Sequence, residues 1–137
     1  MSPPEPDSSA EVVSKQFAAF QDGLDAVSKF WDPEIDWRAV EGAADDVGVI
    51  YGERSLRRYY ADWVEMFDEI NAEVEKVLFD SPKRCAVAIR NSGRSSGSSA
   101  LVQGRYFVVC FVRDGRIVSG REYETEAEAL EAVGSAR

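Results

Sequence analysis

The chain has 137 residues, 45% of them hydrophobic, a formal net charge of −9 and no histidine. That length fits one domain with a buried core and leaves no room for a second. The acidic balance argues against a surface that neutralises phosphates, so neither nucleic acid nor an anionic membrane is an expected partner. Lack of histidine removes the commonest general base and the commonest metal ligand together. No metal and no cofactor are expected, and any catalysis falls to carboxylates, tyrosines, lysines or water.

"MSPPEPDSS" carries neither the basic start nor the apolar stretch of a signal peptide, and no run is long enough to span a bilayer. The protein is therefore expected in the cytoplasm, with residues 1–10 as a disordered tail and 11–137 as one domain. Val13, Phe17, Phe20, Leu24, Val27 and Trp31 recur at spacings of four and three, which predicts one amphipathic helix ended by Asp32-Pro33. "EIDWRAV" alternates as a short half-buried strand, and "EGAADDVGVIYG" reads as a loop. A second helix starts near Glu53, with Leu56, Tyr59, Tyr60, Trp63, Val64 and Phe67 on one face, and runs out between Asp68 and Asn71.

From Ala72 the period becomes two. "EVEKVLF" (73–79), "CAVAIRNS" (85–92), "ALVQGRYFVVCFV" (100–112) and "IVSGREYE" (117–124) predict a meander of long antiparallel strands, with "GRSSGSS" (93–99) as a turn. Cys85 and Cys110 fall inside strands, where reduced cysteines act as small hydrophobes. Thr125 and Glu128 form a capping box for a short closing helix that stops near Gly134. Helices first and a bent sheet afterwards is an α+β plan.

One acid stands out. Asp114-Gly115 is a strong type I′ hairpin signal. Counting outwards from a two-residue turn puts Arg113 opposite Arg116, Phe111 opposite Val118, Val109 opposite Gly120 and Phe107 opposite Glu122. Glu122 then shares a face with Phe107, Val109, Phe111 and Val118, where burial would raise its pKa and suit it to proton transfer. A buried pairing with an arginine is the structural alternative. The opposite face, with Tyr106, Val108, Cys110, Val112, Ile117 and Tyr123, is also apolar, which predicts a homodimer packed through the outer sheet face. Charge is uneven as well: Lys83, Arg84, Arg90, Arg94, Arg105, Arg113, Arg116 and Arg121 meet only Asp114 across 83–121, whereas acids dominate before residue 83. Ion pairs between layers are the expected use.

In this order, "FWDPEIDW", "GVIYGERSLRRYYADW", "RDGRIVSGREYE" and "EALEAVG" resemble the nuclear transport factor 2-like superfamily and its SnoaL-like branch. The resemblance implies a cone-shaped barrel: a strongly curved, mostly antiparallel sheet wrapped around N-terminal helices, with a short C-terminal helix and an apolar pocket. Activities on this fold include ketosteroid isomerisation, polyketide cyclisation, dehydration and epoxide hydrolysis, and many members are non-catalytic. Glu122 resembles the last-strand acid of limonene epoxide hydrolases, and Arg90 their arginine. Their second acid falls at Ser92 here, which counts against epoxide hydrolysis. Asp36 and Tyr51 are stand-ins for the base and tyrosine of ketosteroid isomerases, and the histidine of SnoaL-type cyclases is missing.

The same resemblance places Trp37, Tyr51, Tyr60, Trp63 and Phe67 around the pocket, although core packing is the stronger reading of Trp63 and Phe67. Arg90 faces either way, because one residue of slip in the 93–99 turn reverses it. The expectation is a pocket for a small apolar organic ligand, with Glu122 as acid or base and Arg90 or Tyr51 polarising an oxygen, as in an isomerase, cyclase or hydratase. The competing reading is a non-catalytic ligand-binding or dimerisation module.

Overall fold

The computed structural model describes residues 8–65, 67–95 and 101–135, with side chains except at 67–70, 95, 101–102 and 135. In chain order it contains α1 (Ser9–Ala18), a 3-10 turn (Ala19–Asp22), α2 (Leu24–Ser28), β1 (Trp31–Arg38), β2 (Ile50–Tyr51), α3 (Glu53–Glu65), β3 (Phe67–Asp80), β4 (Arg84–Ser95), β5 (Leu101–Arg113), β6 (Arg116–Tyr123) and α4 (Glu126–Ser135). The strands form one curved, open sheet in the order β2-β1-β6-β5-β4-β3, antiparallel throughout except for the β1–β6 pair. Among the described residues no helix is long and apolar enough to cross a membrane.

The predicted first helix is interrupted. Gly23, at φ 95° and ψ 168°, separates the 3-10 turn from α2, a conformation that glycine adopts without steric penalty. The apolar stripe survives the break: Val13, Phe17, Phe20 and Val27 are all buried, and Leu24 packs against them. Trp31 is buried too, but as the first residue of β1 rather than on a helix. Pro33 lies inside β1 and does not end a helix. It falls in the irregular stretch between the Trp31–Ile117 and Asp36–Ser119 pairs, where the missing N–H costs the ladder nothing. The helix also begins earlier than the expected tail allows, with Ser8 as N-cap accepting from the Glu11 N–H; residues 1–7 lie outside the described part of the chain.

The second predicted helix ends at Glu65, and β3 begins at Phe67, where its pairing to β4 takes over. The side chain of Phe67 lies outside the described residues. β4 continues to Ser95, into the stretch predicted as a turn at 93–99; residues 96–100 are not described. Cys85 and Cys110 stand directly opposite each other on β4 and β5 as free, buried thiols.

At the hairpin, Asp114 and Gly115 have φ of 53° and 75°, as a type I′ turn demands, and Arg113 faces Arg116. Beyond that pair the predicted register fails. Val112 faces Ile117, but Phe111 faces Ser119, so Val118 is an extra residue in a β-bulge. The Ile117 N–H is drawn to the Phe30 carbonyl, 2.7 Å away, where β6 begins its pairing with β1. All later partners shift by one: Cys110 faces Gly120, Val108 faces Glu122 and Phe107 faces Tyr123.

The two sheet faces are therefore exchanged relative to expectation. Val108, Cys110, Val112 and Ile117 belong to the main core beneath the helices, together with Cys85, Val87 and Ile89. Phe107, Val109 and Phe111 look the other way, where Val109 and Ala86 are buried under Ala129 and Val133 of α4. The capping box is present: Thr125 Oγ1 accepts from the Glu128 N–H and donates to Glu128 Oε1. Ion pairs tie basic strands to acids of β1 and β3, as Arg121–Asp36, Arg113–Asp32 and Arg105–Glu75.

Gly120 lets the core close. A Cβ at this position would sit 2.2 Å from two ring carbons of Trp37, whose side chain is fully buried and has nowhere to retreat. Gly120→Ala is expected to cost about 1–3 kcal/mol by overpacking, read as a lowered midpoint in urea unfolding with unchanged slope.

Candidate functional site

Once the bulge has turned β6, Glu122 points into the helix-covered side of the sheet. Its Oε2 accepts a 2.7 Å hydrogen bond from the indole N–H of Trp37. Trp37 is held by packing on Gly120 and by edge contacts with Phe17 and Tyr60. Tyr60, on α3, is 5% exposed and its hydroxyl has no hydrogen-bond partner among the described residues. Glu122 borders a hollow of about 200 Å³ lined also by Val40, Asp45, Tyr59, Tyr60, Trp63, Asn91 and Tyr106. On its other side lies a more open hollow of about 340 Å³ that includes Arg38, Arg121, Tyr123 and Glu128.

Burial raises the Glu122 pKa to about 7, against the lowering effect of the Trp37 hydrogen bond and with a smaller upward push from the Asp45 charge. No hydrogen bond or ion pair found among the described residues joins an arginine to it. The carboxyl is thus half-buried, bonded to one indole N–H among the described residues, and able to exist in either protonation state near neutrality. Desolvation first, and the Glu122 charge second, hold the Tyr60 and Tyr106 hydroxyls protonated. They remain hydrogen-bond donors across the physiological range.

The mouth is shaped by the loop between β1 and β2. Asp46 accepts from Arg38 Nε and Nη2 at 3.2 and 3.1 Å, and from the backbone N–H groups of Gly42 and Gly48 at 2.9 Å each. These bonds hold the Asp46 carboxyl well below its ordinary range, the arginine first. The clamp fixes the neighbouring Asp45, which accepts from the Tyr59 hydroxyl at 3.0 Å.

Of the residues singled out in the sequence, Glu122, Tyr60 and Trp63 meet at the hollow, with Trp37 behind the acid. Asp36 does not: Ser119 and Arg121 engage it at 2.7 and 2.5 Å, on the side of β1 opposite to Ile35 and Trp37. Tyr51 is paired beside Asp36 and is 70% exposed. Arg90 is exposed between Glu73 and Arg105 and faces away, because Ile89 before it is in the core and Asn91 after it lines the hollow. Phe107, Val109 and Phe111 lie on the α4 side, and Val118 occupies the bulge. Asp45, Tyr59, Asn91 and Tyr106 were not anticipated. The one sequence hint was "GAADDVG", an Asp pair flanked by glycines, which is the composition of a self-bonded loop.

Among the described residues no group of three or more Cys, Asp or Glu is arranged to hold a metal ion. Helices laid across one face of a curved, open sheet, with a short closing helix on the other, make an α+β fold of the nuclear transport factor 2-like kind. The chain belongs to the SnoaL-like domain family, whose sequence pattern matches residues 13–120, ending just before Glu122. No curated protein matches it in sequence.

Several solved structures share the fold. A Mycobacterium tuberculosis protein in complex with estradiol-17beta-hemisuccinate is 12% identical with a TM-score of 0.72, covering 85% of this chain and 93% of that one. TerC, co-crystallised with polyporic acid, is 15% identical with a TM-score of 0.70, covering 91% and 97%. A protein from Catenulispora acidiphila with a ketosteroid isomerase-like fold, in complex with trimethylamine, is 16% identical with a TM-score of 0.68, covering 90% and 92%.

A carboxyl whose folded pKa exceeds its unfolded value contributes stability that is present at low pH and lost as pH rises to the folded value. Unfolding free energy should therefore fall between about pH 4.5 and 7, by up to roughly 3 kcal/mol from this group. Glu122→Gln should flatten that slope in urea titrations across the interval.

Proposed function

We propose that the chain binds a small organic molecule in the hollow beside Glu122 and moves a proton with that carboxyl, as an isomerase, cyclase or hydratase acting on an oxygenated substrate. The observation that carries this reading is a half-buried acid held by one indole N–H, with no arginine bonded to it among the described residues, on the wall of a hollow that Tyr60 also lines. Glu122 has a pKa near the operating pH, which is where a single group serves best as acid and base in turn. Tyr60, held protonated, is the donor for a substrate oxygen that gains charge in the transition state. The small organic ligands of the related structures support a cavity of this use.

Arg90, Tyr51 and Asp36 have no part in this proposal, since each points elsewhere. The volume, below the roughly 300–1,000 Å³ of drug-sized sites, favours a substrate of about one ring. Cyclohexanone in D2O is a suitable probe: exchange of the hydrogens beside its carbonyl should run above the buffer rate and rise through about pH 7. Glu122→Gln should lower it by about 10²–10⁴ fold. Saturable ketone binding with exchange at the buffer rate would instead establish the non-catalytic reading.

We also propose a homodimer through the outer face beyond α4, where Phe79 on β3, paired with Ala86, is 37% exposed. Sedimentation velocity should give a dimer that Phe79→Lys converts to a monomer.

A further inference from the structure

The hollow offers negative charge on an aromatic wall. Among the described residues its lining holds two carboxylates, Asp45 and Glu122, and four rings, Tyr59, Tyr60, Trp63 and Tyr106, and no lysine or arginine. Neighbouring cations are engaged outside it, Arg38 by Asp46 and Arg121 by Asp36. Tyr59 and Trp63 both stand edge-on to Tyr60, with interplanar angles of 75° and 79° and centroids 5.4 and 6.5 Å away. Rings set at right angles wall a space instead of stacking shut, and their faces attract cations. The buried Tyr60 hydroxyl has no hydrogen-bond partner among the described residues.

We propose that this hollow receives the protonated amine of a small organic molecule, its carbons against the rings, its charge balanced by Asp45 and Glu122, and one N–H donated to Tyr60. This rests on the small-molecule reading above and narrows it to amine-bearing substrates. The overall charge of −9 favours the approach of cations.

The groups whose charges act on Glu122 or lie beside it are Asp45 from the loop, Tyr59 and Tyr60 from α3, Tyr106 and Cys110 from β5, and the Trp37 donor from β1. On the outer side stand Arg38, Glu41, Arg121, Tyr123, Glu124 and Glu128. An ammonium ion in the inner hollow therefore brings a positive charge that its walls lack. It favours the carboxylate, so the Glu122 proton passes to solvent on binding and the acid enters the reaction as a base.

The test titrates cyclohexylamine and its neutral isostere cyclohexanol into the full chain by calorimetry at matched ionic strength. At pH 8 the amine should bind at least tenfold more tightly than the alcohol. By pH 5.5 its affinity should fall at least tenfold, the alkylammonium staying charged throughout. Glu122→Gln and Asp45→Asn should each reduce the amine-to-alcohol preference at least threefold. Asp45 is exposed, so its variant carries the test should the buried substitution fail to fold. Equal binding of amine and alcohol overturns the cation assignment and leaves the small-molecule reading standing. Binding of neither overturns both, and an amine preference unchanged in the Asp45→Asn variant places the amine elsewhere and overturns the assignment.

Discussion

The single extra residue at Val118 decides which side of the sheet carries Glu122. Side chains alternate along a strand, so an added residue before Gly120 reverses every position that follows. Without it Glu122 would lie under α4, and Tyr123 would face the helices. With it Gly120 meets the Trp37 ring, and Glu122 comes within hydrogen-bond reach of that indole. The bulge is stabilised from outside the hairpin: the Ile117 N–H finds the Phe30 carbonyl, so β1 and β6 can run parallel. The side of β6 that bears Glu122 is set by a contact to Phe30, nearly ninety residues earlier in the chain.

That dependence explains what was legible in the sequence. Local signals were read well: the alternation of the strands, the Asp114-Gly115 turn, the Thr125 cap and the apolar stripe from Val13 to Val27 all have counterparts in the fold. The helix break at Gly23 was hidden because the stripe continues across it. Glu122 does lie toward an apolar side of the sheet, yet the neighbours named for it were those of the opposite face. Counting from the turn assumes an unbroken ladder, and the bond that breaks it is made to Phe30, which no pattern within residues 105–124 reveals.

Residues brought to the hollow by loops were the least visible. Asp45 lies in a stretch without periodicity, and its position follows from the bonds of Asp46, not from a strand or helix. Asn91 is one residue from Arg90, and the short distance between them in sequence conceals that they serve different sides of β4. Polar residues on a strand declare their side only when the register is known. The same limit applies to Asp36, whose pairing with Arg121 depends on the parallel contact of β1 with β6.

The Asp46 clamp has a consequence for how such proteins diversify. Arg38 at the end of β1, Gly42 and Gly48 converge on one carboxylate, so the segment closes upon itself and draws little on the sheet below. A rim organised in this way is separable: changing residues 43–45 while keeping Asp46 alters the lining of the hollow while the indole and its acid stay seated on the sheet. The rim and the acid then reside in different parts of the chain and can change independently.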